Sequence, residues 1–145
     1  MTTIAYKDGV LAYDGRQTVG DVVLSDTVDK CILNQGHYFF LSGHISDYET
    51  FIKTWHGEKI EANINTYGFV YDGSQLWKAG IQDNELWKYR VTYSEAVGSG
   101  YLHALTAMDM GATAKEAVEW AAKRDVYTGG LIREFVLFNP VPKLG

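Results

Sequence analysis

The strongest constraint on the fold is the order in which strand-like and helix-like segments follow one another. Residues Thr3 to Asp14 read as a hairpin, with Ile4-Ala5-Tyr6 and Val10-Leu11-Ala12-Tyr13 flanking Asp8-Gly9. Glycine accepts positive φ without strain, so Asp-Gly between short apolar runs predicts a tight turn. The polar stretch Asp14 to Thr18 interrupts the pattern before Val22-Val23-Leu24, and strands are expected at Val28 to Leu33 and Tyr38 to Leu41 around Asn34-Gln35-Gly36. A capping box, Ser46-Asp47-Tyr48-Glu49, predicts a helix carrying Phe51, Ile52 and Trp55 on one face and ending at Gly57. Strands resume from Ala62 to Val91, where Tyr67, Phe69 and Tyr71 alternate before Asp72-Gly73 and a polar Gln82-Asp83-Asn84-Glu85 separates two further runs. Gly98-Ser99-Gly100 opens a second helix carrying Tyr101, Leu105 and Met108 at helical spacing, stopped by Gly111. The box Thr113-Ala114-Lys115-Glu116 starts a third, running to about Arg124, and Leu131 to Phe138 is a closing strand halted by Pro140 and Pro142. Strands, one helix, strands, two helices, strand: that order predicts an α+β domain in which helices cover the outer faces of sheets.

The 145 residues suit a single domain, 1–145, without repeats or linkers. A net charge of −5 supplies no basic stripe and argues against nucleic acid as a partner. No apolar run reaches the roughly 18–20 residues that span a bilayer, and no signal peptide opens the chain. The single Cys31 fits a reducing, cytoplasmic setting and a small core residue. His37, His44, His56 and His103 lack ligand-like spacing, so neither a catalytic metal nor another cofactor is expected.

The first turn holds a chemical possibility. Removal of Met1 would leave Thr2 with a hydroxyl nucleophile and a free α-amine on one residue, a variant of the nucleophile-and-base pair. The α-amine titrates near about 7.7–8.0 in peptides, so it takes a proton at cellular pH with little tuning.

Stretches along the chain resemble proteasome β subunits and their bacterial HslV-type relatives, the N-terminal-nucleophile hydrolases. Thr2-Thr3-Ile4 and Tyr13-Asp14-Gly15, with Thr18 and Gly20 behind, resemble the first hairpin of that family. Lys30 follows Asp14 by sixteen residues, the family interval between its aspartate and lysine. Leu41-Ser42-Gly43 with Asp47 resembles the turn before the first helix. Ala96-Val97-Gly98-Ser99-Gly100 and Arg124-Asp125-Val126-Tyr127-Thr128-Gly129-Gly130 resemble two later signatures. The resemblance implies a four-layer αββα sandwich and a threonine-type endopeptidase. Thr2 is then the nucleophile, Lys30 the charge that favours its alkoxide, and Asp14 the partner that holds Lys30. Ser99, Asp125 and Thr128 surround the α-amine, and the Gly43 N–H is the oxyanion donor. The first specificity pocket maps to Gln17, Val28, Ile32, Leu41, Ile45 and Glu49, which implies an apolar residue on the acyl side of the cut, with Glu49 able to recruit Lys or Arg instead.

Two departures bear on assembly and access. Only Ser46 to about His56 is free for the first helical layer, so it is shortened and leaves no room for the family's second helix. Those two helices pack between stacked rings in the family, so the shortening leaves double-ring stacking open, and a ring or an open helical homo-oligomer is expected. Trp77, Trp87 and Tyr89 are candidate interface anchors, and an ATP-dependent unfoldase is the implied partner that feeds polypeptide substrates. His44 replaces a family glycine beside the substrate groove. Two other readings stand beside the peptidase: a catalytically silent scaffold or assembly protein, favoured if Met1 is retained, and an amidohydrolase acting on a small amide.

Overall fold

A computed structural model describes residues 2–59 and 63–138. Met1, the Ala62 strand start and the strand-halting Pro140 and Pro142 lie outside the described residues. The strands are β1 (Thr3–Lys7), β2 (Val10–Tyr13), β3 (Gln17–Val19), β4 (Val22–Ser25), β5 (Cys31–Asn34), β6 (His37–Ser42), β7 (Thr66–Tyr71), β8 (Leu76–Gln82), β9 (Glu85–Arg90), β10 (Glu95–Gly98) and β11 (Arg133–Val136). The helices are α1 (Tyr48–Trp55), α2 (Tyr101–Asp109) and α3 (Ala114–Arg124), and a 3-10 turn, Ile45–Asp47, leads into α1.

One sheet has the order β10-β1-β2-β11 and another β5-β6-β7-β8-β9, with β3 and β4 pairing apart as a small hairpin. Strand alternation assigns each residue to a layer. Ile4, Tyr6, Leu11, Tyr13 and Val97 of the first sheet meet Phe40, Phe69, Tyr71 and Leu76 of the second in the central core. On the outer face of the first sheet the buried hydrophobic residues are the alanines Ala5, Ala12 and Ala96, and α2 and α3 pack there through Ala104, Met108, Ala114, Ala117 and Val118. Such small side chains let helices lie close to the strands. On the far side, Phe39, Leu41, Val70, Ala79 and Ile81 carry Phe51 and Ile52 of α1. The layers are therefore helices, sheet, sheet and one short helix: the αββα sandwich, with its first helical layer reduced to α1. Each fully buried Phe or Leu contributes about 1.5–3 kcal/mol relative to exposure. No described helix is long and apolar enough to cross a membrane.

Several local expectations are corrected. The Ser46 capping box does not form. The 3-10 turn carries the chain into α1 already helical, Asp47 becomes the N-cap at φ −95°, ψ −7°, and no side chain caps it. By contrast, both halves of the Thr113–Glu116 box are present. Val28 to Lys30 is not strand: the Val28 N–H donates to Gly15 O, and Asp29 Oδ1 accepts from the Cys31 N–H. Tyr101 is exposed, and the inward positions of α2 are Ala104 and Met108. Trp77 is half-buried and donates to Asp72, whereas Trp87 and Tyr89 are on the surface.

Candidate active site

Thr2 stands at the mouth of β1, and its surroundings come from distant parts of the chain. Its Oγ1 donates to Asp14 Oδ1 at 2.5 Å and accepts from Lys30 Nζ at 2.7 Å. Lys30 Nζ also donates to the same Asp14 oxygen at 2.7 Å. The three groups close a triangle in which Thr2 and Asp14 are buried and Lys30 nearly so. Asp14 is held from both sides. Oδ1 accepts from the Thr3 N–H at 3.1 Å, and Oδ2 from the Gly129 and Arg16 N–H groups at 3.0 and 3.3 Å. Burial pushes the Lys30 ammonium below its ordinary pKa of 10.5, and the Asp14 charge opposes that shift.

Backbone pairing explains how the triangle assembles. Gly15 N–H donates to Gly129 O, Val28 N–H to Gly15 O, and Leu131 N–H to Asp26 O. The segments after β2, before β5 and after α3 are thereby laced together, and Lys30 is delivered beside Asp14. Loss of strand structure at Val28 to Lys30 is part of the same arrangement.

A second network lies beneath the first. Ser99 Oγ and Thr128 Oγ1 both donate to Asp125 Oδ2, at 2.5 and 2.7 Å. Thr128 Oγ1 and Thr3 Oγ1 are 2.7 Å apart, and the Gly100 N–H donates to Thr3 Oγ1 at 3.1 Å. The Ser99 N–H donates to Thr2 O at 2.8 Å. Burial alone would raise the Asp125 pKa, but the donations from Ser99, Thr128 and the Tyr127 N–H outweigh it and hold the carboxyl below its ordinary range. Gly98 has φ +101°, and a Cβ there would meet Thr2 O at 1.8 Å, so only glycine permits this approach.

The remaining expected residues divide. Gly43 has φ +128° at the end of β6, where a Cβ would come within 3.0 Å of Asn65 O. Ile32, Ile45 and Glu49 line a cavity of about 540 Å³ beside α1, together with Tyr48 and Ile52. Glu49 is largely exposed and pairs with Lys53 at 3.3 Å. Leu41 is buried under α1, and Gln17 and Val28, both half-buried, are not among that cavity's lining residues. His44 is exposed. Cys31 is half-buried, its thiol pushed up to about 11 by burial and the Asp29 charge. Among the described residues no cluster of His, Cys, Asp or Glu has the form of a metal site.

Sequence reasoning overlooked Thr3, Gly129 and Tyr48. Thr3 and Gly129 sit inside motifs that were legible, and only the fold shows that their N–H groups serve Asp14. Tyr48 was hidden as an ordinary helix residue. Its hydroxyl donates to Leu41 O at 3.0 Å, and its pKa is pushed up to about 12 by burial and then by the charge of Asp14.

No family model and no curated protein matches the chain. Solved structures do. Thiobacillus denitrificans BPH in complex with epoxomicin superposes with a TM-score of 0.67 at 20% identity, over 97% of this chain and 99% of that one. Thiobacillus denitrificans BPH in a second structure gives a TM-score of 0.66 at 18% identity, over 98% and 99%. Eukaryotic HslV from Trypanosoma brucei gives 0.66 at 16% identity, over 93% and 97%. The chain has the N-terminal-nucleophile hydrolase fold. Within that class it takes the HslV and proteasome form, with the first helical layer shortened.

Proposed function

We propose that the protein is a threonine-type endopeptidase whose nucleophile is Thr2, exposed by removal of Met1. One observation carries the reading: Thr2 Oγ1 is held between an ammonium at 2.7 Å and a carboxylate at 2.5 Å in a buried setting. An ordinary surface threonine has no such surroundings.

The chemistry follows from these groups. The free α-amine takes the hydroxyl proton as Oγ1 bonds to the scissile carbonyl carbon and the carbonyl π pair moves onto oxygen. The Gly43 N–H receives that oxyanion, a donor worth about 10²–10³ in rate in comparable sites. Lys30 lowers the energy of the developing alkoxide, while Asp14 keeps Lys30 charged despite its burial. Collapse expels the amine of the product, which carries off the proton from the α-ammonium. Water then attacks the acyl ester, gives its proton to the α-amine, and the Thr2 hydroxyl is restored. Ser99 holds the Thr2 carbonyl, Thr128 holds the Thr3 side chain and Asp125 braces both, so that together they orient the amine.

On the acyl side, the α1 cavity presents Ile32, Ile45, Ile52 and Tyr48, while the Glu49 carboxylate is largely exposed beside Lys53 and not buried on the cavity floor. An apolar side chain is therefore preferred to Lys or Arg. The same reading includes a homo-oligomeric assembly, an unfoldase that delivers polypeptides, and a cytoplasmic setting that keeps Cys31 reduced.

Intact mass and labelling test the reading together. Native protein should lack one methionine, and a β-lactone, a peptide vinyl sulfone or epoxomicin should modify Thr2 but leave Thr2→Ala untouched. Native, Met-free protein that resists all three probes and cleaves no peptide would end the peptidase reading and leave the scaffold.

A further inference from the structure

A second cavity, of about 410 Å³, is lined by Tyr67, Lys78, Trp87, Val97, Gly98 and Tyr101 among others. It opens between the edges of the two sheets, with β10 on one wall, β8 and β9 on the other, and the first residue of α2 at its border. Its rim touches the nucleophile's own backbone. Gly98 pairs with Thr3, and its Cα passes so near Thr2 O that no Cβ fits. The α1 cavity lies apart, beside α1, and Thr2, Asp14 and Lys30 are not among its lining residues. The Thr2 carbonyl thus borders the second cavity through Gly98, and an extended polypeptide crossing a nucleophile has two sides to accommodate.

The walls define what this cavity accepts. Trp87 lies across Gly80, its partner in the β8–β9 ladder; a Cβ on Gly80 would come within 2.4 Å of Trp87 Cζ2. Tyr89 stacks with the indole at 6.2 Å and 17°. The indole is therefore held in place as a wall, which a freely rotating surface tryptophan would not be. Lys78 brings a charge, but Glu95 Oε1 sits 3.0 Å from its Nζ and also accepts from Tyr89 OH at 2.7 Å. The ammonium is neutralised where it stands, so the cavity offers aromatic surface without net charge.

We propose that this cavity is the subsite for the leaving-amine side of the scissile amide, and that it selects a neutral aromatic or large aliphatic residue. The proposal rests on the peptidase reading, and its test separates the two. Internally quenched peptides identical except for Phe or Gly just beyond the cut should be hydrolysed with Phe favoured roughly three- to tenfold, the strength of one aromatic pairing. Trp87→Leu should shrink that ratio toward one, and Gly80→Ala, which pushes the indole away, should do the same by a different route. If the parent cleaves neither peptide, the peptidase reading fails, and calorimetry on Thr2→Ala still decides the subsite: the Phe peptide should bind more tightly, and the Trp87→Leu change should erase the difference. Three results overturn the proposal: equal handling of Phe and Gly by the parent, a preference for Asp, Glu, Lys or Arg, or a Trp87→Leu effect confined to the oligomeric state. The last would mean that a second copy of the chain occupies the cavity.

Discussion

Replacing Asp14 by Asn tests the physics of the site without assuming that it is catalytic. The carboxylate is fully buried and accepts five hydrogen bonds, from Thr2 Oγ1, Thr3 N, Lys30 Nζ, Arg16 N and Gly129 N. An amide has one acceptor oxygen, so its NH2 must face either the first three donors or the last two. Lys30 also loses its counter-charge while its side chain is only 11% exposed. Breaking a buried pair by removing one partner costs about 3–5 kcal/mol. The cost should depend on pH, because Lys30 can escape it by shedding its proton. Its folded pKa already lies below 10.5, and without Asp14 it falls further. The native state then binds fewer protons than the unfolded one between the new folded pKa and 10.5, so stability rises with pH in that window, by up to about 1.4 kcal/mol per unit. Urea unfolding at pH 6 and pH 9 should therefore show the full loss at pH 6 and a smaller one at pH 9. Adding Lys30→Met to the Asn variant should recover part of the loss at pH 6 and flatten the pH dependence. A loss below about 1 kcal/mol, equal at both pH values, would refute the reasoning, since it would mean Lys30 swings into water at no cost.

Three further outcomes are expected. Hydrolysis by the parent should decline on the alkaline side before pH 10.5, because burial lowers the Lys30 pKa and the neutral amine no longer favours the alkoxide; a pH profile of kcat/KM reads this directly. Thr113→Ala removes a complete capping box at the exposed start of α3, so it should cost about 1 kcal/mol and lower Tm by about 2–4 °C in calorimetry, with activity retained. Ile45→Ala should widen the α1 cavity, and kcat/KM for an aromatic residue on the acyl side should rise relative to valine by roughly three- to tenfold in a fluorogenic library.

The parts of the fold that local chemistry dictates were legible. Asp8-Gly9 and Asp83-Asn84 sit in turns with positive φ, as hairpin turns require, and the Thr113 box caps α3 as its spacing implies. That helices cover the outer faces of sheets also followed from the order of segments, while the four-layer order came from the family resemblance. What escaped was set by contacts between distant segments. β10 is four residues long and ends in a glycine, so little in Glu95–Gly98 marks a strand until Thr3 lies alongside. Val28 to Lys30 reads as the start of the strand because it runs directly into Cys31-Ile32-Leu33, yet Gly15 and Asp29 draw its backbone away from the ladder. The pairing of Asp14 with Lys30 was visible as an interval, whereas the four other donors on Asp14 and the cavity beside Gly98 depend on which strand becomes the neighbour of which.

Those facts together assign Asp14 a role wider than that of a partner for lysine. Its donors come from residue 2, from residue 3 in β1, from the turn after β2, from Lys30 ahead of β5 and from Gly129 after α3. No two of the last three are close in sequence, so the carboxylate is satisfied only when both ends of the domain have docked. A charge buried without those donors is unfavourable by several kcal/mol, which penalises every partly assembled arrangement. The same group that holds Lys30 against the Thr2 hydroxyl therefore makes the geometry around Thr2 conditional on the completed sandwich. Before assembly, Lys30 is a solvated amine and Thr2 an ordinary hydroxyl, and neither has the surroundings on which the proposed chemistry depends.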